Sequence, residues 1–117
     1  LVYVRYLITQ EKIDAGLKFI DRLLPLASAS GAVIYEIELL VLQAMTLSLR
    51  GNLRQAVETL EQALRLAEPE GFVRVFVDEG QNIRGLLQHA FGRGIAVHYV
   101  RALLTAMEAS AQPQGGA

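Results

Sequence analysis

The chain has 117 residues, 52% hydrophobic and 20% charged, which excludes intrinsic disorder and suffices for one compact domain or a few helical repeats. It contains no cysteine, which excludes disulfides, thiolate metal sites and cysteine nucleophiles and fits a reducing compartment such as the cytoplasm. Its formal net charge is −1 and its basic residues are scattered among the acidic ones, so it lacks the basic stripe that duplex-binding proteins usually carry.

Residues 1–9 are rich in apolar side chains and predict a first helix. They lack the charged start and the small-residue cleavage site of a secretory signal. Because the chain starts without methionine and ends in QPQGGA, we expect it to be a piece of a longer protein.

The sequence repeats itself at a shift of 40 residues. Residues 12–31 align without gaps on residues 52–71, and their apolar positions recur at steps of four, three and four, which lines one face of an α-helix. Each copy ends in glycine, Gly31 and Gly71, as is expected where a chain turns left-handed beyond a helix. Pro25 predicts a kink inside the first copy.

A second type of helix is predicted between the two copies, over residues 32–50, and is apolar on several faces. Glu36 and Glu38 interrupt it, so it is a buried helix rather than a membrane span. Gly51 and Asn52 form the next turn, with Asn52 a candidate N-cap. The predicted unit is therefore a helix, a turn and an antiparallel helix, repeated.

This pattern resembles the tetratricopeptide repeat, in which small and large residues alternate so that helix pairs nest. The matching positions are Ala44, Gly51, Ala56, Leu60 and Ala63. The departures are the missing tryptophan, Leu23 in place of an alanine, and a period of 40 rather than about 34 residues. The predicted fold is all-α, with tetratricopeptide-like antiparallel helix pairs stacked as a short right-handed superhelix over residues 1–110, followed by a flexible linker over residues 111–117.

The segment after Gly71 is ambiguous between a strand and a short helix over residues 72–79. A single strand would have no partner in a helical chain, so a short helix is favoured. Apolar stripes over residues 83–91 and 99–107 predict two further helices.

The block LAEPEGFVRVFVDEG, residues 66–80, with GLLQHAF and YVRALLTAM after it, resembles the sensor region of LuxR-family transcription regulators of the maltose-activator (MalT) type. In that family an ATPase domain precedes a superhelix of tetratricopeptide-like pairs, and a helix-turn-helix DNA-binding domain follows it. The resemblance implies inducer binding and ATP-dependent self-association of the intact protein, with DNA bound only through the helix-turn-helix domain. Neither flanking domain lies in these residues, so the implied role of this chain is sensing and scaffolding.

Catalytic and metal chemistry find no support in the residues. His89 and His98 belong to no zinc motif, and the neighbouring acids Asp78 and Glu79 are interpreted as a helix end. Residues 92–94 are too short for a nucleotide-binding loop. We therefore expect no enzyme activity, no cofactor and no metal.

Repeat stacks bind partners along their concave face, which the first helix of each pair lines. The repeat positions place six residues there: Arg5, Ile8, Glu38, Val41, Met45 and Ser48. Such a face suits an inducer, a peptide or a protein surface. An equally weighted alternative is that these residues pack against neighbouring repeats. If they bind rather than support the fold, Arg5→Ala or Glu38→Ala should change stability by less than about 1 kcal/mol.

The favoured hypothesis is a signal-sensing segment of a LuxR-family regulator, cytoplasmic and not membrane-bound, whose inducer or protein partner the residues do not identify. The alternative is a stand-alone tetratricopeptide-like adaptor that docks a protein partner.

Overall fold

The computed structural model describes residues 2–9 and 12–111, and in these ranges the chain is helical without a strand. The helices are α1 (Val2–Thr9), α2 (Ile13–Ser30), α3 (Val33–Leu49), α4 (Leu53–Ala67), α5 (Arg74–Val77), α6 (Gln81–Gly92) and α7 (Val97–Ala111), with a 3₁₀ turn (Glu68–Glu70) after α4. The predicted all-α fold is therefore confirmed. Of the predicted linker, only Ala111 lies in the described residues, where it is the last residue of α7.

The two glycine stops act as predicted. Gly31 and Gly71 have φ values of 73° and 68°, in the left-handed region that favours glycine. At the first stop, the N–H of Gly31 donates to the carbonyl of Ser28 and that of Ala32 to Ala27, which is a Schellman motif. These bonds satisfy carbonyls at the end of α2 and turn the chain back, so that α3 runs antiparallel to α2.

One local prediction turns out differently, and another stays a prediction. α2 continues through Pro25 to Ser30, and the kink expected at Pro25 stays a prediction. Asn52 occupies the N-cap position of α4, but its side chain makes no capping bond; its Nδ2 donates instead to Oε1 of Gln55 at 2.6 Å. Asn52 is thus the N-cap residue by position, as predicted, but its side chain does not cap α4. It is engaged through its nitrogen, whereas capping requires the side-chain oxygen to accept from a backbone N–H.

The main core lies between α3, α4, α6 and α7. Small side chains allow α3 and α4 to approach closely: Ala44, Ala56 and Ala63 are all fully buried, as the repeat alignment predicts. A second core joins α1, α2 and the opposite side of α3, where Val4, Ile20, Ala27, Leu39 and Leu42 are buried. α3 therefore contributes to both cores, which explains its apolar character on several faces.

The ambiguous segment over residues 72–79 contains the short helix α5. Phe76 on this helix is fully buried and contacts the ring of Tyr99 edge to face, with centroids 6.1 Å apart. The Tyr99 hydroxyl donates to the carbonyl oxygen of Phe72, which ties α7 to the start of the segment. Burial raises the pKa of Tyr99 to about 12, and the nearby carboxylate of Glu68 adds to the effect.

Candidate binding groove

A groove runs along α3, between α1 on one side and the junction of α5 and α6 on the other. It contains two neighbouring cavities of about 310 and 250 Å³. Arg5 of α1 and Glu79 of the α5–α6 junction line both of them. Three separate elements of the fold therefore meet at this groove.

An ion pair spans the groove from one wall to the other. The guanidinium of Arg5 donates two parallel hydrogen bonds to Glu79, from Nη1 to Oε1 at 3.0 Å and from Nη2 to Oε2 at 2.7 Å. The Glu79 side chain is only 12% exposed, whereas that of Arg5 is 44% exposed. The hydrogen bond to Glu79 raises the pKa of Arg5 more than desolvation lowers it, so Arg5 stays charged. This contact links residues 74 positions apart and holds α1 to the α5–α6 junction.

A glycine next to this ion pair sets the direction of the junction. Gly80 has φ 60° and ψ −136°, a conformation that residues with a side chain rarely adopt. It lies two residues after Asp78, the C-cap of α5, and directly before Gln81, the first residue of α6. The turn at Gly80 places Glu79 at the wall of the groove instead of in a continuing helix.

The smaller cavity is acidic with apolar walls. Glu38 lines it from α3 and is close enough to Arg5 to help raise the pKa of that residue, yet among the described residues it has no hydrogen bond or ion pair. Asp78, in contrast, pairs with Arg74 at 2.6 Å. The remaining walls are aliphatic: Ile34, Val41 and Val75.

The larger cavity is apolar at its floor and polar at its rim. Leu42 and Met45 lie at the floor, and Leu49, 65% exposed, extends the apolar surface outward. Ser48 and Asn82 supply hydrogen-bonding groups beside them. The two cavities thus differ in chemistry, one acidic and one apolar, and the Arg5–Glu79 ion pair lies between them.

Five of the six residues predicted for the concave face line this groove: Arg5, Glu38, Val41, Met45 and Ser48. Val41 is only 1% exposed, so it belongs mainly to the core. The side chain of Ile8 lies outside the described part of the chain. The structure therefore brings the predicted residues together, in a groove that is open and not filled by other described elements.

The opposite wall of the groove was not predicted from the sequence. Glu79 belongs to the acidic pair interpreted as a helix end, and no role was predicted for Asn82. A signal did exist in α1, where Arg5 is the lone charged residue among the apolar and aromatic side chains of VYVRYLIT. Such a residue calls for an acidic partner, but nothing in the sequence indicates which of the twelve acidic residues supplies it.

A larger depression, of about 610 Å³, lies on the other face, between α2, α3 and α4. Two of its acidic side chains have close partners: Arg50 pairs with Asp14 at 2.9 Å, and Asp21 accepts a hydrogen bond from Gln43 at 3.2 Å. We favour the groove on α3 as the binding site, because three elements of the fold meet there and apolar side chains line both of its cavities.

Neither a metal cluster nor a membrane span is found where the structure describes the chain. No three His, Asp or Glu side chains in residues 2–9 and 12–111 lie close enough together to hold a metal ion. In the same ranges, no helix combines the length and the apolar character that crossing a bilayer requires.

Comparison with known families identifies the chain. The family described as the MalT-like TPR region matches residues 1–92, which span α1 to α6 and both walls of the groove. α7, with the YVRALLTAM stretch, lies beyond the match. No curated protein and no solved structure matches the chain. Since the match covers well over half of the residues, the chain belongs to the MalT-like tetratricopeptide-region family.

Proposed function

We propose that the chain is the signal-sensing and protein-interaction segment of a LuxR-family transcription regulator. An inducer or a protein partner binds in the α3 groove, and the event is relayed to ATPase and DNA-binding domains outside this chain. Membership of the MalT-like family supports the regulator context. Helical repeats of this kind are typically non-catalytic binding scaffolds, which supports a role in binding rather than catalysis.

The observation that supports the proposal most directly is that three separate elements line the groove: α1, α3 and the α5–α6 junction. A ligand that contacts all three elements binds best to one relative arrangement of them. It therefore shifts the population toward that arrangement, and the shift can be passed to whatever the helices adjoin. A site built on one helix alone has no such means of relaying its occupancy.

DNA binding is assigned to a helix-turn-helix domain outside this chain, and self-association to the intact regulator. The near-neutral charge supports this division, because duplex binding depends on displacing counterions with basic side chains. The proposed location is the cytoplasm, where such regulators meet both their signals and DNA.

A transcription reporter driven by the intact regulator tests this role. Ser48→Phe places a ring in the mouth of the larger cavity, and we expect it to shift the signal dose-response at least tenfold. Ser110→Phe makes the same change on an exposed position of α7 and serves as the control. Thermal melts of both variants verify that each one folds. A normal dose-response of a folded Ser48→Phe variant would refute the groove as the sensing site.

The reading frame around the coding segment distinguishes this role from that of a stand-alone adaptor. We expect a phosphate-loop ATPase upstream and a helix-turn-helix domain downstream in the same frame. An open reading frame with neither would contradict the regulator role while leaving the binding groove in place.

A further inference from the structure

We infer that the groove along α3 binds a basic, aliphatic segment of a partner protein. A lysine or arginine of the partner occupies the smaller cavity, beside Glu38, and an aliphatic side chain occupies the larger cavity, beside Met45. This inference rests on the proposed function and specifies the chemistry of the partner.

The charge of the smaller cavity favours a cation. Three carboxylates line it, those of Glu38, Asp78 and Glu79, against the guanidinium groups of Arg5 and Arg74. Asp78 is neutralised by Arg74, and Glu79 by Arg5. Among the described residues Glu38 makes no hydrogen bond or ion pair, so one negative charge remains in the cavity, attracted only at longer range by Arg5. An anionic ligand would enter against this charge, whereas an ammonium or guanidinium group would pair with it.

The size and the walls of the same cavity favour a side chain over a whole small molecule. Its volume of about 250 Å³ is below the range of roughly 300–1,000 Å³ that is usual for drug-sized ligands. Ile34, Val41 and Val75 offer aliphatic surface leading to Glu38. The methylene stem of a lysine or arginine can lie on such a surface while the charged end reaches a carboxylate.

The larger cavity accommodates the aliphatic side chain of the partner. Leu42 and Met45 are apolar, and the thioether chain of Met45 adapts to side chains of different shape. Leu49 leaves 65% of its surface in water, so covering it adds to the stability of the complex. Because the Arg5–Glu79 ion pair lies between the cavities, the partner backbone must cross over it, where the exposed side of Arg5 can meet peptide carbonyls.

Titration of the isotopically labelled chain with synthetic peptides tests the inference by nuclear magnetic resonance. The probes carry one lysine and one leucine, separated by one, two or three residues, in a glycine-serine background. Matched peptides replace the lysine by norleucine or by glutamate. We expect at least one lysine peptide to shift the amide signals of Glu38 and Met45. The norleucine and glutamate peptides should bind at least tenfold more weakly, and raising the salt concentration should weaken the lysine complex.

Glu38→Gln removes the unpaired charge with little change in shape, and we expect it to weaken lysine-peptide binding about tenfold. Glu36→Gln makes the same change on α3 but faces a different cavity, so it should leave binding unchanged. Equal binding of all three peptide types, absence of lysine-peptide binding, or insensitivity to Glu38→Gln would each overturn the inference. The proposed function would survive any of these results if Ser48→Phe still shifted the reporter dose-response, because another ligand would then occupy the groove.

Discussion

A double-mutant cycle on Arg5 and Glu79 measures how strongly the ion pair joins the two walls of the groove. Fully exposed pairs contribute about 0.2–1 kcal/mol, and removing one partner of a buried pair costs about 3–5 kcal/mol. Glu79 is largely buried and Arg5 about half exposed, so this pair lies between the two limits. We expect Arg5→Ala to destabilise the fold by about 1–3 kcal/mol, more than the sequence alone predicts, because it leaves the Glu79 carboxylate without its partner.

Urea denaturation of the parent chain, Arg5→Ala, Glu79→Ala and the double variant gives the coupling energy, which we expect to be about 1–2 kcal/mol. The exposed pair of Arg54 and Glu58, 3.6 Å apart on α4, provides a matched control cycle with an expected coupling below about 0.5 kcal/mol. A coupling for Arg5 and Glu79 no larger than that of the control pair would refute the claim that this contact ties α1 to the α5–α6 junction.

Three further predictions concern the fold and the charge of the chain. Ala56→Phe should destabilise the crossing of α3 and α4 by about 1–3 kcal/mol through overpacking, whereas Ala102→Phe on an exposed position should have little effect; equal melting temperatures would contradict the repeat alignment. The pKa of Tyr99 is about 12 in the folded chain, whereas an unfolded tyrosine ionises near pH 10. The contribution of Tyr99 to the free energy of unfolding should therefore be complete below pH 10 and disappear as the pH rises toward 12. Absorbance titration should show a late-titrating component that disappears in Tyr99→Phe, and an identical titration of the parent chain and Tyr99→Phe at high pH would refute this assignment. In a mobility-shift titration the chain should bind duplex DNA no better than a generic near-neutral protein. Submicromolar, salt-sensitive binding would contradict the proposal that DNA is bound only by a domain outside this chain.

The helices could be predicted from the sequence because their signals are local. The spacing of apolar residues and the glycines at positions 31 and 71 act within one or two turns, so the bounds of α2, α3 and α4 agree with the prediction to within a few residues. The small residues at helix crossings followed from the repeat alignment, and Ala44, Ala56 and Ala63 are buried as it predicts.

The groove could be predicted only in part, because its two walls depend on different information. One wall follows from helical periodicity, because the spacing along α3 places three residues on the same face: Glu38, Met45 and Ser48. The position of Glu79 depends on how α5 and α6 pack, through Phe76 and Ile83, against the main core. No local pattern carries that packing, and for this reason the partner of Arg5 was not identified from the sequence.

The central claim is that signals or partners bind in the α3 groove, and photo-crosslinking in cells tests it without knowledge of the ligand. A benzophenone amino acid is placed at Leu49, whose exposed side chain borders the larger cavity, or at Gln62, an exposed position on α4 outside the groove. Under inducing conditions we expect a defined mass adduct from position 49 and none from position 62. The same adduct from both positions, or an adduct from position 62 alone, would contradict the account.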